Sequence, residues 1–88
     1  MKLQETYRRI ETILDFAKKP LAEFEFATII EPNTHENGQQ YVGCSQSALG
    51  RRCRELRAIG RLTSQRRKGQ AFVEYYLPVK AEATPCPI

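Results

Sequence analysis

Positions 45–70 carry Arg51, Arg52, Arg54, Arg57, Arg61, Arg66, Arg67 and Lys68 against one acid, Glu55. The segment has a net charge of +7 and the whole chain +4, which leaves −3 for the rest. Guanidinium groups are planar forks of donors that match phosphate oxygens and the O6/N7 edge of guanine. Clustered on an otherwise acidic body, they form the electrostatic footprint of a polyanion-binding surface rather than a scatter of solvating charges. Arg66-Arg67-Lys68 places three like charges side by side, which destabilises a fold unless a polyanion lies nearby.

Two elements must position these cations. Ser45 or Ser47 can cap a helix over about 45–59, and Gly60 can supply the left-handed residue that stops it. At 100° per residue Leu49, Cys53 and Leu56 share a narrow sector, flanked by Ala48 and Ile59. Ser47, Arg51, Arg54 and Ala58 lie opposite, with Gly50 and Arg57 beside them. Arg52 falls near the apolar sector and is expected to snorkel or to pair with a glutamate. A β-hairpin follows over 61–77, with strands 61–65 and 70–77 and a basic tip at 66–69, where Gly69 is free to adopt a positive φ. Leu62 faces inward; alternation leaves either Ala71, Val73, Tyr75 and Leu77 or Phe72 and Tyr76 for the inner face.

The run Ser-Gln-Ser-Ala-Leu-Gly-Arg-Arg-Cys-Arg-Glu-Leu-Arg-Ala-Ile-Gly-Arg-Leu resembles the recognition helix and following strand of bacterial and phage winged helix-turn-helix DNA-binding domains. Arg52, Glu55-Leu56, Gly60, Leu62 and Tyr76-Leu77 sit where that pattern wants them. The resemblance implies a mainly α fold of α+β class: three helices and a C-terminal two-stranded wing, in one domain over 1–77. It implies sequence-specific binding of double-stranded DNA, with the helix entering the major groove N-terminus first. Gln46, Ser47, Gly50, Arg51 and Arg54 then lie nearest base edges, with Arg51 or Arg54 as the bidentate reader of guanine. Arg57, Arg61, Arg66, Arg67 and Lys68 hold phosphates, the wing lying along the backbone or in a minor groove. Gly50 serves either close approach to the backbone or close packing on a neighbouring helix. The expected role is a bacterial or phage transcription or replication accessory factor. A homodimer through the first helix, or a protein partner, would complete a two-half-site reader. The alternative is a winged-helix docking module for an acidic protein.

In the rest of the chain, Tyr7, Ile10, Ile13, Leu14 and Ala17 predict a first helix running to about Lys19, before Pro20. Its charges Arg8, Arg9, Lys18 and Lys19 read as solvated. In 21–31 the spacing of Leu21, Phe24, Ala27 and Ile30 suggests a short helix, while Phe24-Glu25-Phe26 alternates like a strand; the resemblance favours the helix. Phe24 and Phe26 read as core. Pro32, Asn33 and Asn37-Gly38 make 31–43 a loop with a tight turn, longer than the 3–4 residues of the usual helix-turn-helix. Residues 78–88 read as a disordered tail.

Eighty-eight residues suit one small domain. Cys44, Cys53 and Cys86 are odd in number and unpaired in spacing, which predicts no disulfide framework and, with a lone His35, no metal site. No nucleophile–base arrangement or Gly-rich phosphate loop appears, so neither an enzyme nor a cofactor is expected. Without a membrane-length apolar run or a signal-peptide core, a cytoplasmic protein with no membrane association is expected.

Overall fold

The first helix, α1 (Leu3–Ala17), turns Thr6, Tyr7, Ile10, Ile13 and Leu14 inward. These residues lie three and four apart, which puts them on one face and against the body. The helix stops two residues short of the expected Lys19. Lys18 adopts the left-handed conformation at φ 55° and its N–H bonds back to the Leu14 carbonyl. The computed structural model describes residues 2–78, so the tail expected over 78–88 lies outside the described residues except for Pro78.

The segment 21–31, expected as a helix, divides into two elements. Leu21–Ala22 form a short strand, β1, buried on both residues, and Glu23–Thr28 form a 3-10 helix. The Glu25 side chain accepts from the Ala22 N–H at 2.9 Å and so fixes the start of that helix. Phe26 points into the core with no exposure, while Phe24, expected beside it in the core, is 43% exposed. In a 3-10 helix, residues two apart fall on different faces.

The following stretch is more ordered than the expected loop. Glu31 is buried and its carboxylate accepts from the Asn33 and Thr34 N–H groups, at 2.9 and 2.7 Å. His35 turns the chain at φ 63° and Ile30 bridges to Asn37. Asn37-Gly38, expected as a tight turn within a loop, instead starts a helix: Asn37 caps α2 (Gly38–Val42). Its side chain accepts from the Gln40 N–H at 2.9 Å, and the Gln40 side chain accepts from the Asn37 N–H at 3.2 Å. This reciprocal pair satisfies two otherwise orphaned donors. At the other end Gly43 takes φ 83° and Arg9 of α1 donates to the Tyr41 carbonyl at 2.9 Å, so Arg9 is not a merely solvated charge.

The third helix, α3 (Gln46–Ala58), begins three residues after α2 ends. The long connection anticipated from the sequence is therefore absent, because the helix preceding α3 is α2 and not 21–31. Beyond α3 come β2 (Thr63–Arg66) and β3 (Val73–Tyr76), paired antiparallel with Arg66 opposite Val73 and Thr63 opposite Tyr76. Strand β1 adds to the other side of β3, Leu21 opposite Tyr75. The sheet thus has three antiparallel strands in the order β1-β3-β2, where a two-stranded hairpin was expected. The fold is mixed α+β. Among the described residues Tyr7, Ile10, Ile13, Leu14, Leu21, Phe26, Val42, Leu49, Cys53, Leu56, Leu62 and Tyr75 form the hydrophobic core. Among the described residues no helix is long and apolar enough to cross a membrane.

Candidate nucleic-acid interface

Both ends of α3 are fixed by local hydrogen bonds. The Ser45 hydroxyl accepts from the Ala48 N–H at 3.2 Å. At the far end Gly60 has φ 83°; its N–H reaches the Arg57 carbonyl at 3.1 Å and that of Arg61 reaches Leu56 at 2.9 Å. That is the double closure a left-handed glycine permits. Leu49, Gly50, Cys53 and Leu56 face the core, whereas Ile59, expected at the core's edge, is 59% exposed past the helix end. Gln46, Ser47, Arg51, Arg54 and Arg57 lie on the exposed side. Arg52 pairs with Glu55 at 3.2 Å, and Glu55 also accepts from the Tyr7 hydroxyl at 2.8 Å. Burial pushes the Cys53 thiol up to about 12, so it stays protonated and inert at neutral pH.

Three of the ten residues expected to meet DNA are engaged elsewhere. Arg61 turns back to α1, where Nε and Nη2 donate to the two oxygens of Glu11 at 2.9 and 2.6 Å. Arg67, expected to hold phosphate at the hairpin tip, joins two elements. Its Nε donates to Glu74 on β3 at 2.7 Å and its other two nitrogens grip Glu25 of the 3-10 helix. Gln65 donates to the second oxygen of Glu74 at 2.6 Å, so this carboxylate, 6% exposed, is fully partnered. The hydrogen bonds from Arg67 to Glu25 and from Gln65 to Glu74 hold both carboxylates below the usual range. Gly50 is buried beneath Glu23: a Cβ placed on it would come 2.7 Å from either carboxylate oxygen. Of the two readings of Gly50, close packing is the one the structure displays.

What remains is a coherent set. Arg51, Arg54 and Arg57 on α3 and Arg66 and Lys68 at the hairpin tip are exposed and form no ion pair among the described residues. Of the eight cations of 45–70, these five stay uncompensated.

Beside them lies a feature that the sequence reading passed over. A cleft of about 310 Å³ opens between the 3-10 helix, α3 and β3, with Glu23, Phe24, Gln46, Arg54, Phe72 and Tyr75 in its walls. The Phe24 and Phe72 rings meet edge to face, centroids 4.9 Å apart, and the Arg67 guanidinium covers Phe72 at 4.8 Å. Burial raises the pKa of the Tyr75 hydroxyl, and the charge of Arg54 opposes that shift. Phe24 and Phe72 are far apart in the sequence, and the pairing of β1 with β3 and the Arg67 bridge between Glu25 and Glu74 bring them together. No family model, curated protein or solved structure matches this chain.

Proposed function

We propose that this chain is a winged helix-turn-helix module that binds double-stranded DNA in a sequence-dependent way. The observation that carries the reading is the set of five exposed cations without ion pairs among the described residues, three on the outer face of α3 and two at the hairpin tip. Topology supports it. The order is helix, strand, 3-10 helix, helix, helix, strand, strand, and the three residues between α2 and α3 suit the short turn of a helix-turn-helix pair. In this reading α3 lies in the major groove. Arg51 and Arg54 reach base edges beside Gln46 and Ser47, while Arg57, Arg66 and Lys68 bind phosphates. Arg61 and Arg67 shape the wing and its seat instead of touching DNA.

The test is fluorescence anisotropy with duplex DNA across a salt series. Three phosphate contacts, from Arg57, Arg66 and Lys68, give a slope of log K against log salt of about −2.7, taking −0.9 per phosphate. Arg66→Ala is expected to reduce that slope by about 1 and to weaken all sequences alike. Arg54→Ala is expected to flatten the preference found by site selection. Absence of duplex binding at low salt would remove the proposal.

A further inference from the structure

A carboxylate at the border of a phosphate-binding face is out of place if the face serves phosphates alone. Glu23 is such a group. Its oxygens rest over Gly50 and form no ion pair among the described residues. It lines the same cleft as Arg54 and Gln46, with Phe24 and Phe72 supplying apolar walls. The cleft therefore offers an acceptor that repels phosphate, a donor fork, an adaptable amide and aromatic surface. Its volume, about 310 Å³, is near the lower limit for small-molecule sites, roughly 300 Å³, and suits one planar ring system rather than a larger ligand.

We propose that this cleft is a nucleobase pocket that takes an unpaired guanine at a strand end of the bound nucleic acid. The inference rests on the nucleic-acid reading above and narrows it: at a strand end Arg54 and Gln46 turn from the groove to the cleft, and Arg51 beside Ser47 is left to read base edges. Guanine alone among the four bases carries two adjacent donors, N1–H and the N2 amine, that a carboxylate can accept together. Its O6 and N7 are the acceptors an arginine fork seeks. Adenine and cytosine would each set a ring-nitrogen acceptor against Glu23, which neutral bases do not tolerate without loss. The two phenyl rings stand at 84° to one another, so one stacks on the base and the other meets its edge. A base within a duplex has both faces covered by its neighbours, so only an unpaired one can use aromatic walls. Gly50 belongs to the same device, because the missing side chain leaves the space in which Glu23 lies against α3.

The experiment compares a blunt duplex with the same duplex carrying a single unpaired guanine, adenine, cytosine or thymine, alongside amide and aromatic NMR of the protein titrated with GMP. The guanine overhang is expected to tighten binding roughly tenfold over blunt ends, the scale of one stacked base, and the other bases less. Glu23→Gln and Gly50→Ala should each abolish the preference for guanine over adenine, while Phe24→Ala should remove the gain for every overhang. Blunt-duplex binding with no gain from guanine overturns the pocket and leaves the DNA reading standing. Equal gains from all four bases overturn the guanine assignment. GMP shifting Phe24 and Phe72 without any overhang effect overturns the strand-end source in favour of a free nucleotide. A guanine-tailed strand that binds while blunt duplex does not keeps the pocket and removes the duplex reading.

Discussion

At the scale of single residues, one arginine does the opposite of its neighbours. Arg66, Arg67 and Lys68 are consecutive, yet Arg66 and Lys68 are exposed while Arg67 alone is half-buried against the hairpin. The cause is alternation: Gln65 and Arg67 project to one side of the ribbon, where Glu74 and Glu25 wait, and Arg66 projects to the other. Arg67→Ala would leave Glu74 with one partner and Glu25 with only the Ala22 N–H. The expected loss, read as a lower urea midpoint, is smaller than fully buried charged hydrogen bonds would give because a third of the side chain stays in water. Arg67→Lys should recover under half of it, since an ammonium cannot span both carboxylates in one plane. Arg66→Ala should change stability by no more than about 0.5 kcal/mol. Equal effects at 66 and 67 would mean that the clamp does not form in solution. None of this pairing is readable from the sequence, where the three cations are equivalent and their acids stand 42 and 7 positions from Arg67.

At the scale of elements, legibility followed locality. Helices α1 and α3 were readable because their periodicity, and for α3 its serine cap and glycine stop, lie within the element itself. The 21–43 stretch departs from its expected form for two physical reasons. Strand β1 has two residues, too few for alternation to show, and its pairing partner Tyr75 lies across the chain. Helix α2 has five residues, so its stability comes from its ends and its packing rather than from an apolar stripe. Its capping signal, Asn37 followed three later by Gln40, was present but overshadowed by the turn-forming reputation of Asn-Gly. Gly38 is required there for a reason other than backbone freedom. A Cβ on it would fall 2.4 Å from the Phe26 carbonyl oxygen and 3.0 Å from the Ile13 side chain. Because the first of these is backbone, Gly38→Ala should force α2 off the 3-10 helix and destabilise by about 1–3 kcal/mol. Asn37→Ala should lower stability by about 1 kcal/mol through the lost cap. If Gly38→Ala were neutral in thermal unfolding, the close seat of α2 on Phe26 would be wrong. The candidate site divides the same way: the exposed arginines of α3 follow from its period, while the cleft with Phe24 and Phe72 depends on sheet closure.

At the scale of the whole molecule, charge sets how stability varies with pH. The carboxylates of Glu25, Glu31 and Glu74 are all held below their ordinary pKa, by Arg67, by the Thr34 N–H and by Gln65 respectively as the leading cause. A depressed folded-state pKa means that the unfolded chain binds the proton more readily. The stabilisation is therefore complete above the unfolded value, about 4.3, and is lost as pH falls below it through the lower folded values. Unfolding by urea at pH 7, 5, 4 and 3 should show little change between the first two and a progressive fall thereafter. Glu74→Gln should be less stable at pH 7 and show a shallower fall, since one of the three groups no longer titrates. A competing source of acid instability is general repulsion, because the chain already carries +4 at neutral pH and gains positive charge as its acids protonate. Salt separates the two. Repulsion among exposed cations is screened within about 10 Å at 0.1 M, so added salt would restore stability at pH 3 if repulsion dominated. Protonation of hydrogen-bonded carboxylates is not reversed by screening. The expectation is that 0.5 M salt at pH 3 restores less than half of the loss in wild type. Full restoration would show that the three glutamates do not govern acid unfolding.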